Sequence, residues 1–210
     1  MIVQWCIKGI AGNDKNHSDG IDDNDAQIMA NRAGICSNWW RHQGAISPAE
    51  IQAKLTPRAL DQHVNDYDAV RQETPFISLA AGCVERDVLM RTNRVYPAQR
   101  IAQAFATENG QRPGYLFTCW IVLGLAPAVE VAHLGEEVRA LNTYRSFSDY
   151  QLEGEVTAKV HVPANQIHSV EKWKPVRRGA LGDLERAWPT PHVNPAFVDP
   201  RAASNIRDLF

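Results

Sequence analysis

The chain has 210 residues and a mass of 23.5 kDa, a size that suits one domain with extensions. Its net charge of −2 gives no electrostatic case for nucleic acid or an anionic membrane as the main partner. No apolar run reaches transmembrane length and no Sec-type signal peptide is visible. We therefore expect a chain that folds in a cytoplasm and reaches another cell, if it does, through a dedicated secretion system.

The first 38 residues are interpreted as a strand followed by a polar loop. MIVQWCIKGIAG predicts the strand, and the next segment is dense in Asp, Asn, Ser and Gly. Asp14, Asn16 and Ser18 have the spacing of a calcium loop, but Asp19 stands where such a loop has glycine. We expect no metal site here. The cysteines show neither metal-like spacing nor a disulfide pattern, so buried thiols are predicted: Cys6, Cys36, Cys83 and Cys119.

The middle of the chain carries both helix and strand signals. SNWWRHQG predicts the end of a strand, and SPAEIQAKL predicts a helix with a Ser47–Glu50 capping box and Pro48 in its first turn. Residues 56–72 predict a loop or a short helix, and TPFISLAAG predicts a short strand. Residues 85–110 are interpreted as helical material that stops at Gly110.

Two further strands are predicted in the second half. YLFTCWIVLGL is apolar on both parities, which indicates a central strand. QLEGEVTAKVHVP alternates strictly, which predicts a half-buried strand with Glu153 and Glu155 side by side on its polar face, ahead of Thr157, Lys159 and His161. Two carboxylates that close repel each other unless cations neutralise them. Beyond residue 175, five prolines predict an extended tail with a short terminal helix.

The order of these elements predicts an α+β domain. A doubly wound sheet is excluded because strands and helices do not alternate, and no GxGxxG or phosphate loop is present.

Three features then stand in a fixed order: Arg41 after a tryptophan pair, Ser78 in PFIS, and the Glu153–Glu155 pair. This order resembles the R-S-E arrangement of the cholera-toxin-like mono-ADP-ribosyltransferases. WWRHQGAISPAEI is similar to that family's aromatic-Arg segment followed by SPDEI, and PFISLAA is similar to its YVSTS strand. EGEVTAKVHVPANQI resembles its ExEVxAxxxIPxxxI strand most closely. The resemblance spans roughly residues 39–173 and departs at Leu79 and Ala80, where the family has Thr and Ser.

The resemblance implies an ADP-ribosyltransferase-like split β-sandwich that binds NAD in the cleft between its sheets. N-terminal helices and an extended Pro-rich C-terminal tail would complete it. We expect an N-terminal strand and polar loop over residues 1–38, a catalytic domain over 39–174 and an extension packed on it over 175–210.

The same resemblance implies the roles of the site residues. Glu155 would stabilise the oxocarbenium-like transition state as the nicotinamide–ribose bond of NAD breaks. Ser78 would hold Glu155, and Arg41 would grip the NAD phosphates. Glu153 would face an acceptor arginine, whose positive charge would also relieve the repulsion within the ExE pair.

Aromatic residues are the expected contacts around this chemistry. Phe147 and Tyr150, in the loop before the ExE pair, would select the acceptor. Weaker candidates for packing on nicotinamide are Trp39, Trp40, Phe76 and Tyr115.

The activity implied is transfer of ADP-ribose from NAD to an arginine of a target protein by a toxin or effector. NAD is then a substrate, no metal is required, and an immunity or activator protein is a further partner. Two alternatives stay open: an NAD glycohydrolase, and a catalytically inactive family member that acts as a binding module. Taken singly, these residues also have purely structural interpretations. An ExE pair is commonly part of a solvated strand face, Arg41 could be a salt-bridge partner and Ser78 could cap a strand end.

Histidines without metal spacing are assigned to no site: His42, His63, His133, His161 and His168.

Overall fold

The computed structural model describes residues 2–43, 46–87, 92–123, 136–137, 155–177 and 183–202. The strands are β1 (Ile2–Ala11), β2 (Ile35–Cys36), β3 (Phe76–Ala80), β4 (Cys83–Asp87), β5 (Thr92–Tyr96), β6 (Gly114–Leu123), β7 (Glu136–Glu137), β8 (Glu155–Lys159), β9 (His161–Val162), β10 (Ile167–Pro175), β11 (Leu184–Arg186) and β12 (His192–Val193). The helices are α1 (Asp23–Ile28), which a π-helical turn over Met29–Ala33 continues, α2 (Asn38–Arg41), α3 (Pro48–Lys54), α4 (Pro57–Asn65), α5 (Tyr67–Val70) and α6 (Ala98–Ala106).

The antiparallel pair β1–β6 forms the centre of the main sheet, with register from Ile2–Leu123 to Ala11–Gly114. On the far side of β6 lies β10, which also pairs with β11 and β12. The antiparallel pair β3–β8 joins β1 where Ile7 lies opposite Ala80. Between these parts lies β7, parallel to β6 and antiparallel to β8. The predicted α+β class is thus confirmed.

Helix α6 lies close against one face of the central strands because small residues meet there. A Cβ added to Gly9 of β1 would lie 2.3 Å from the carbonyl oxygen of Ala102, and one added to Gly114 would lie 2.2 Å from that of Ala106. Ala102 and Ala106 are themselves buried. Glycine in the strands and alanine on the helix therefore permit a backbone approach that larger side chains would prevent.

The acidic N-terminal loop is held by hydrogen bonds. Arg112 is 1% exposed and donates to the carbonyl of Gly12 at 2.9 Å and to Asp19 at 2.7 Å. Asp14 accepts from the backbone N–H groups of the turn it begins, which is how Asp stabilises a polar loop. The polar-loop interpretation is confirmed, and the described residues contain no cluster of metal-ligating side chains.

Several local predictions are confirmed. The strand over MIVQWCIKGIAG, the strand over YLFTCWIVLGL and the short strand over PFISLA are present as β1, β6 and β3. Helix α3 begins with the predicted capping box, in which Ser47 and Glu50 bond each other's backbone N–H groups. Cys6 and Cys119 are buried thiols, whereas Cys36 is partly exposed.

Other local predictions are wrong. SNWWRHQG does not end a strand but forms helix α2, because the Ser37 hydroxyl caps it by accepting from the backbone N–H of Trp40. Residues 83–87 and 92–96 form the antiparallel pair β4–β5 instead of a helix, with Cys83 opposite Tyr96. Pairing between neighbouring segments overrides local helix propensity there, and the helical stripe begins at Ala98.

Two residues on the expected polar face of the ExE strand are buried. Thr157 and Lys159 are 0% and 2% exposed. Val160 has a φ of 57°, so the alternation breaks before His161. His161 contacts the carbonyl oxygen of Ala33 at 2.8 Å and does not end a solvated row.

The C-terminal segment is extended over its described part, with β11 and β12 added to β10. Trp120 of β6 donates from its indole to the carbonyl oxygen of Val198, which fastens this segment to the sheet. The predicted terminal helix lies outside the described residues, and the division into three segments stays a prediction. No helix among the described residues has the length and apolarity needed to cross a membrane.

Candidate active site

A cavity of about 350 Å³ opens beside Ser78, between β1, β3 and helices α4, α5 and α6. Its volume is that of a small-molecule site. The polar and charged residues of its lining are Lys8, His63, Tyr67, Ser78 and Glu108. Apolar contacts come from Val64, Ile101 and Phe105.

Ser78 belongs to a chain of hydrogen-bonding side chains. Its Oγ lies 2.9 Å from Nε2 of His63, and Nδ1 of the same ring lies 2.8 Å from Oγ1 of Thr74. His63 and Thr74 are each 3% exposed. Burial, reinforced by the positive charge of Lys8, lowers the pKa of His63 from 6.5 to about 3, so the ring is neutral. A neutral imidazole donates at one nitrogen and accepts at the other, which fits two hydroxyl partners.

Local sequence explains how His63 reaches Ser78. Helix α4 is capped by Thr56, whose hydroxyl accepts from the N–H of Ala59, and Pro57 is its first residue. Leu60, His63 and Val64 follow at i, i+3 and i+4, so they lie on one helix face, and all three are buried. That face packs against β3 and delivers the imidazole to the strand.

The register of β3 with β8 relates Ser78 to the ExE strand. Ser78 lies opposite Thr157, and Ala80 lies opposite Glu155. Directly opposed residues share a face of the sheet, as do residues two apart, so positions 78, 80, 155 and 157 lie on one face. Oγ1 of Thr157 is buried without a hydrogen-bond partner among the described residues. Glu153, Phe147, Tyr150 and the side chain of Glu155 lie outside what the structure describes.

Arg41 lies away from this cavity's lining. It is the last residue of α2 and is exposed, and its neighbours Trp39 and His42 line a second, open groove of about 640 Å³. The cation that lines the Ser78 cavity, among the described residues, is Lys8 of β1.

The aromatic residues at the cavity also differ from those predicted. Trp39 and Phe76 are buried with α3 and α4, and Trp40 stacks on His161. Tyr115 is buried in another cluster, where its hydroxyl donates to Asp23. Two aromatics do line the cavity, at 39% and 53% exposure: Tyr67 and Phe105.

Four residues of the cavity lining were not predicted as site residues from the sequence: Lys8, His63, Tyr67 and Phe105. Lys8 carried a weak signal, because it is the one charge within the apolar run WCIKGI. His63 carried another, as a polar residue on the buried stripe of a helix. Tyr67 and Phe105 carried none, since their role depends on how α5 and α6 pack.

The chain resembles known proteins in its fold, but its sequence matches no known family. No protein-family model matches the chain, and no curated protein matches it. The structure called EcPltA aligns with a TM-score of 0.50 over 94% of this chain and 89% of that chain, at 10% identity.

Weaker alignments are found with other toxins. A heat-labile enterotoxin of E. coli aligns over 91% of this chain and 76% of its own at 11% identity, with a TM-score of 0.35. Full-length CARDS toxin aligns at 12% identity and a TM-score of 0.43, over 94% of this chain and 30% of the toxin. The chain has the mixed α+β fold found in ADP-ribosyltransferase toxins, on the alignment with EcPltA.

Proposed function

We propose that this chain is a mono-ADP-ribosyltransferase that transfers ADP-ribose from NAD to an arginine of a target protein, as a toxin or effector. The observation that carries the proposal is the contact of Ser78 with buried His63 at the cavity, on the sheet face that also holds position 155. The shared toxin fold supports it independently.

The hydrogen bonds around Ser78 suit a carboxylate partner. The backbone N–H of Phe76 donates to Oγ1 of Thr74 at 3.3 Å, and in the tautomer that we assign the Thr74 hydroxyl donates to Nδ1 of His63. In this arrangement His63 donates from Nε2 to the Ser78 oxygen, and the Ser78 hydroxyl would donate onward to Glu155. Every proton in this relay points toward the carboxylate, which would be held ionised and in one orientation.

A fixed carboxylate next to the anomeric carbon lowers the barrier to breaking the nicotinamide–ribose bond. Positive charge develops on the ribose as nicotinamide leaves, and Glu155 would stabilise that charge. Glu153, two residues earlier, would bind the guanidinium of the acceptor arginine and take a proton from it. Phe147 and Tyr150 would contact the target protein around that arginine.

The remainder of NAD needs a cation and a surface for its rings. Lys8 lines the cavity and is our first candidate for the pyrophosphate, and Arg41 is the candidate from the sequence motif. Tyr67 and Phe105 are partly exposed at the cavity and offer flat apolar faces for a heterocycle. An immunity or activator protein, and delivery by a dedicated secretion system, complete the proposed biology.

The test is nicotinamide release from NAD by the purified chain, with and without agmatine as a small guanidino acceptor. We expect release to fall strongly in Glu155→Gln, and transfer to agmatine to fall in Glu153→Gln while hydrolysis persists. Nicotinamide release that is unaffected by agmatine and by Glu153→Gln would instead indicate an NAD glycohydrolase. A folded protein that neither releases nicotinamide nor binds NAD by calorimetry would contradict the proposal and favour an inactive binding module.

A further inference from the structure

Two buried cysteines face each other across the central strand pair. Cys6 of β1 and Cys119 of β6 are direct Cα partners in the antiparallel register. Their Sγ atoms are 3.6 Å apart, and the residues are 2% and 0% exposed. The Cys6 Sγ also lies 3.7 Å from the carbonyl oxygen of Cys119, so both sulfurs occupy one small volume of the core.

This geometry permits a covalent bond with little movement. Opposed residues of an antiparallel pair have Cα atoms about 4.5–5.5 Å apart, within the range of roughly 4.4–6.8 Å that disulfides span. A disulfide bond is about 2.05 Å long, so the two sulfurs need to approach by about 1.5 Å. Rotation about both χ1 angles brings the sulfurs together, and the Cβ atoms of opposed residues, usually about 4.5–5.5 Å apart, need to come to the roughly 3.5–4.5 Å of a disulfide.

We propose that Cys6 and Cys119 form a cross-strand disulfide when the chain folds in the presence of a thiol–disulfide oxidant such as oxidised glutathione. One cysteine thiolate attacks the glutathione disulfide and forms a mixed disulfide, releasing one glutathione thiolate. The second cysteine thiolate then attacks the protein sulfur of the mixed disulfide and releases the second glutathione thiolate. Two protein thiols are oxidised, two electrons reduce the oxidant to two thiols, and the two protons end on glutathione at neutral pH.

Burial decides when the bond forms. The oxidant needs access to one sulfur, and the folded core gives almost none, so oxidation occurs during folding and is slow afterwards. The same burial protects the finished bond from reductants. A compartment that maintains disulfides would therefore yield the cross-linked form, and a reducing cytoplasm the dithiol form.

The cross-link would connect the ten-residue strands β1 and β6 outside the lining of the Ser78 cavity. Cys6 and Cys119 belong to the core cluster of Ile77, a residue on the face of β3 opposite Ser78. The linked residues are 113 positions apart, so the bond closes a large loop of the unfolded chain. The inference does not depend on the proposed activity.

The experiment is refolding of the reduced, denatured chain with oxidised and reduced glutathione, followed by alkylation and peptide mapping. We expect one cross-linked peptide pair, Cys6 with Cys119, and a thermal midpoint about 5–15 °C higher than that of the reduced protein. The variant Cys36→Ser should give the same cross-link and the same rise. Cys6→Ala should abolish both. If that variant folds poorly, the peptide map of the wild-type chain still tests the cross-link directly.

Three results would contradict the cross-link between Cys6 and Cys119. Cys6 and Cys119 that remain open to alkylation after denaturation of the refolded product would overturn the proposal. So would stable glutathione adducts on either residue, or a cross-link that uses Cys36 or Cys83.

Discussion

The imidazole of His63 and the hydroxyl of Ser78 are joined by a 2.9 Å contact between a helix and a strand. The histidine is almost completely buried and neutral, so it acts as a fixed hydrogen-bonding group and not as an acid or base. Thr74 holds the other ring nitrogen and sets the plane of the ring. This contact makes Ser78 more than a strand-end cap, because its hydroxyl is oriented from one side and available on the other.

Removing either end of this contact should reduce catalysis. Ser78→Ala deletes the proposed donor to Glu155, and a hydrogen bond to a charged group contributes about 1.5–3 kcal/mol. We therefore expect the turnover number for nicotinamide release to fall roughly 10- to 100-fold, with a smaller change in KM. His63→Ala should cause a loss of similar direction because Ser78 is then free to rotate.

The matched control for that experiment is Ser169→Ala. Ser169 is also a buried strand serine, 7% exposed, but it lies on β10 and does not line the cavity. Its variant should retain near wild-type turnover. Equal losses in Ser78→Ala and Ser169→Ala would indicate a general effect on folding and argue against a positioning role.

Stability should depend on pH through His63. The pKa of His63 is about 3 in the folded chain and 6.5 ordinarily, so between these values the unfolded chain binds a proton that the folded chain does not. Stability contributed at this position therefore falls as pH decreases below 6.5, by up to about 1.4 kcal/mol per pH unit. Urea unfolding at pH 7 and pH 5 should show a smaller pH effect in His63→Gln than in the wild type.

A second histidine supplies the comparison for this pH effect. Burial also lowers the pKa of His161, so His161→Gln should remove part of the pH dependence in the same direction. An unchanged pH effect in His63→Gln would contradict the neutral, buried state of that ring.

The sequence predicted those elements whose signals are local. The capping box of α3 needs only Ser47 and Glu50, and the apolar strand β6 is buried on both faces wherever it is placed. Helix α2 was missed because a four-residue helix has too little periodicity to be detected, even with Ser37 as its cap. The pair β4–β5 was missed because strand pairing depends on contacts between segments and not on local preference.

The candidate site was predictable only where a local sequence signal marks its residues. Ser78 was found because a motif surrounds it, and β3 and β8 then placed position 155 on its face. Lys8, His63 and Phe105 come from three separate elements, and only the packing of α4 and α6 against the sheet brings them to one cavity. No single-sequence pattern contains that information.

Lys8 and Arg41 are competing candidates for the NAD phosphates, and substitution separates them. Lys8→Gln removes the cation that lines the Ser78 cavity, whereas Arg41→Gln removes an exposed one at the end of α2. We expect Lys8→Gln to raise the calorimetric Kd for NAD roughly 10-fold or more and Arg41→Gln to change it less. The reverse ranking would favour the assignment that the sequence motif gives.

Gly9 tests the close packing of α6 on the sheet. A Cβ at this position would meet the backbone oxygen of Ala102 at 2.3 Å, and a backbone atom cannot turn aside as a side chain does. Gly9→Ala should therefore lower the free energy of unfolding by about 1–3 kcal/mol in urea titration. Ala53→Ser, at an exposed position of α3, is the control and should have almost no effect. A wild-type midpoint in Gly9→Ala would show that α6 can move away at little cost.

Phe105 tests whether the mouth of the cavity contacts a ring of NAD. The side chain is 53% exposed, so Phe105→Ala should leave the unfolding midpoint nearly unchanged. A stacked ring contributes about 0.5–1.5 kcal/mol beyond area burial, so its loss should raise the Kd for NAD at least roughly 2- to 12-fold. Phe105→Tyr keeps the ring and should bind as the wild type does, and Val176→Ala, exposed and outside the cavity lining, should also bind normally. An unchanged Kd in Phe105→Ala would remove this residue from the proposed NAD site while leaving the roles of Ser78 and Glu155 to their own tests.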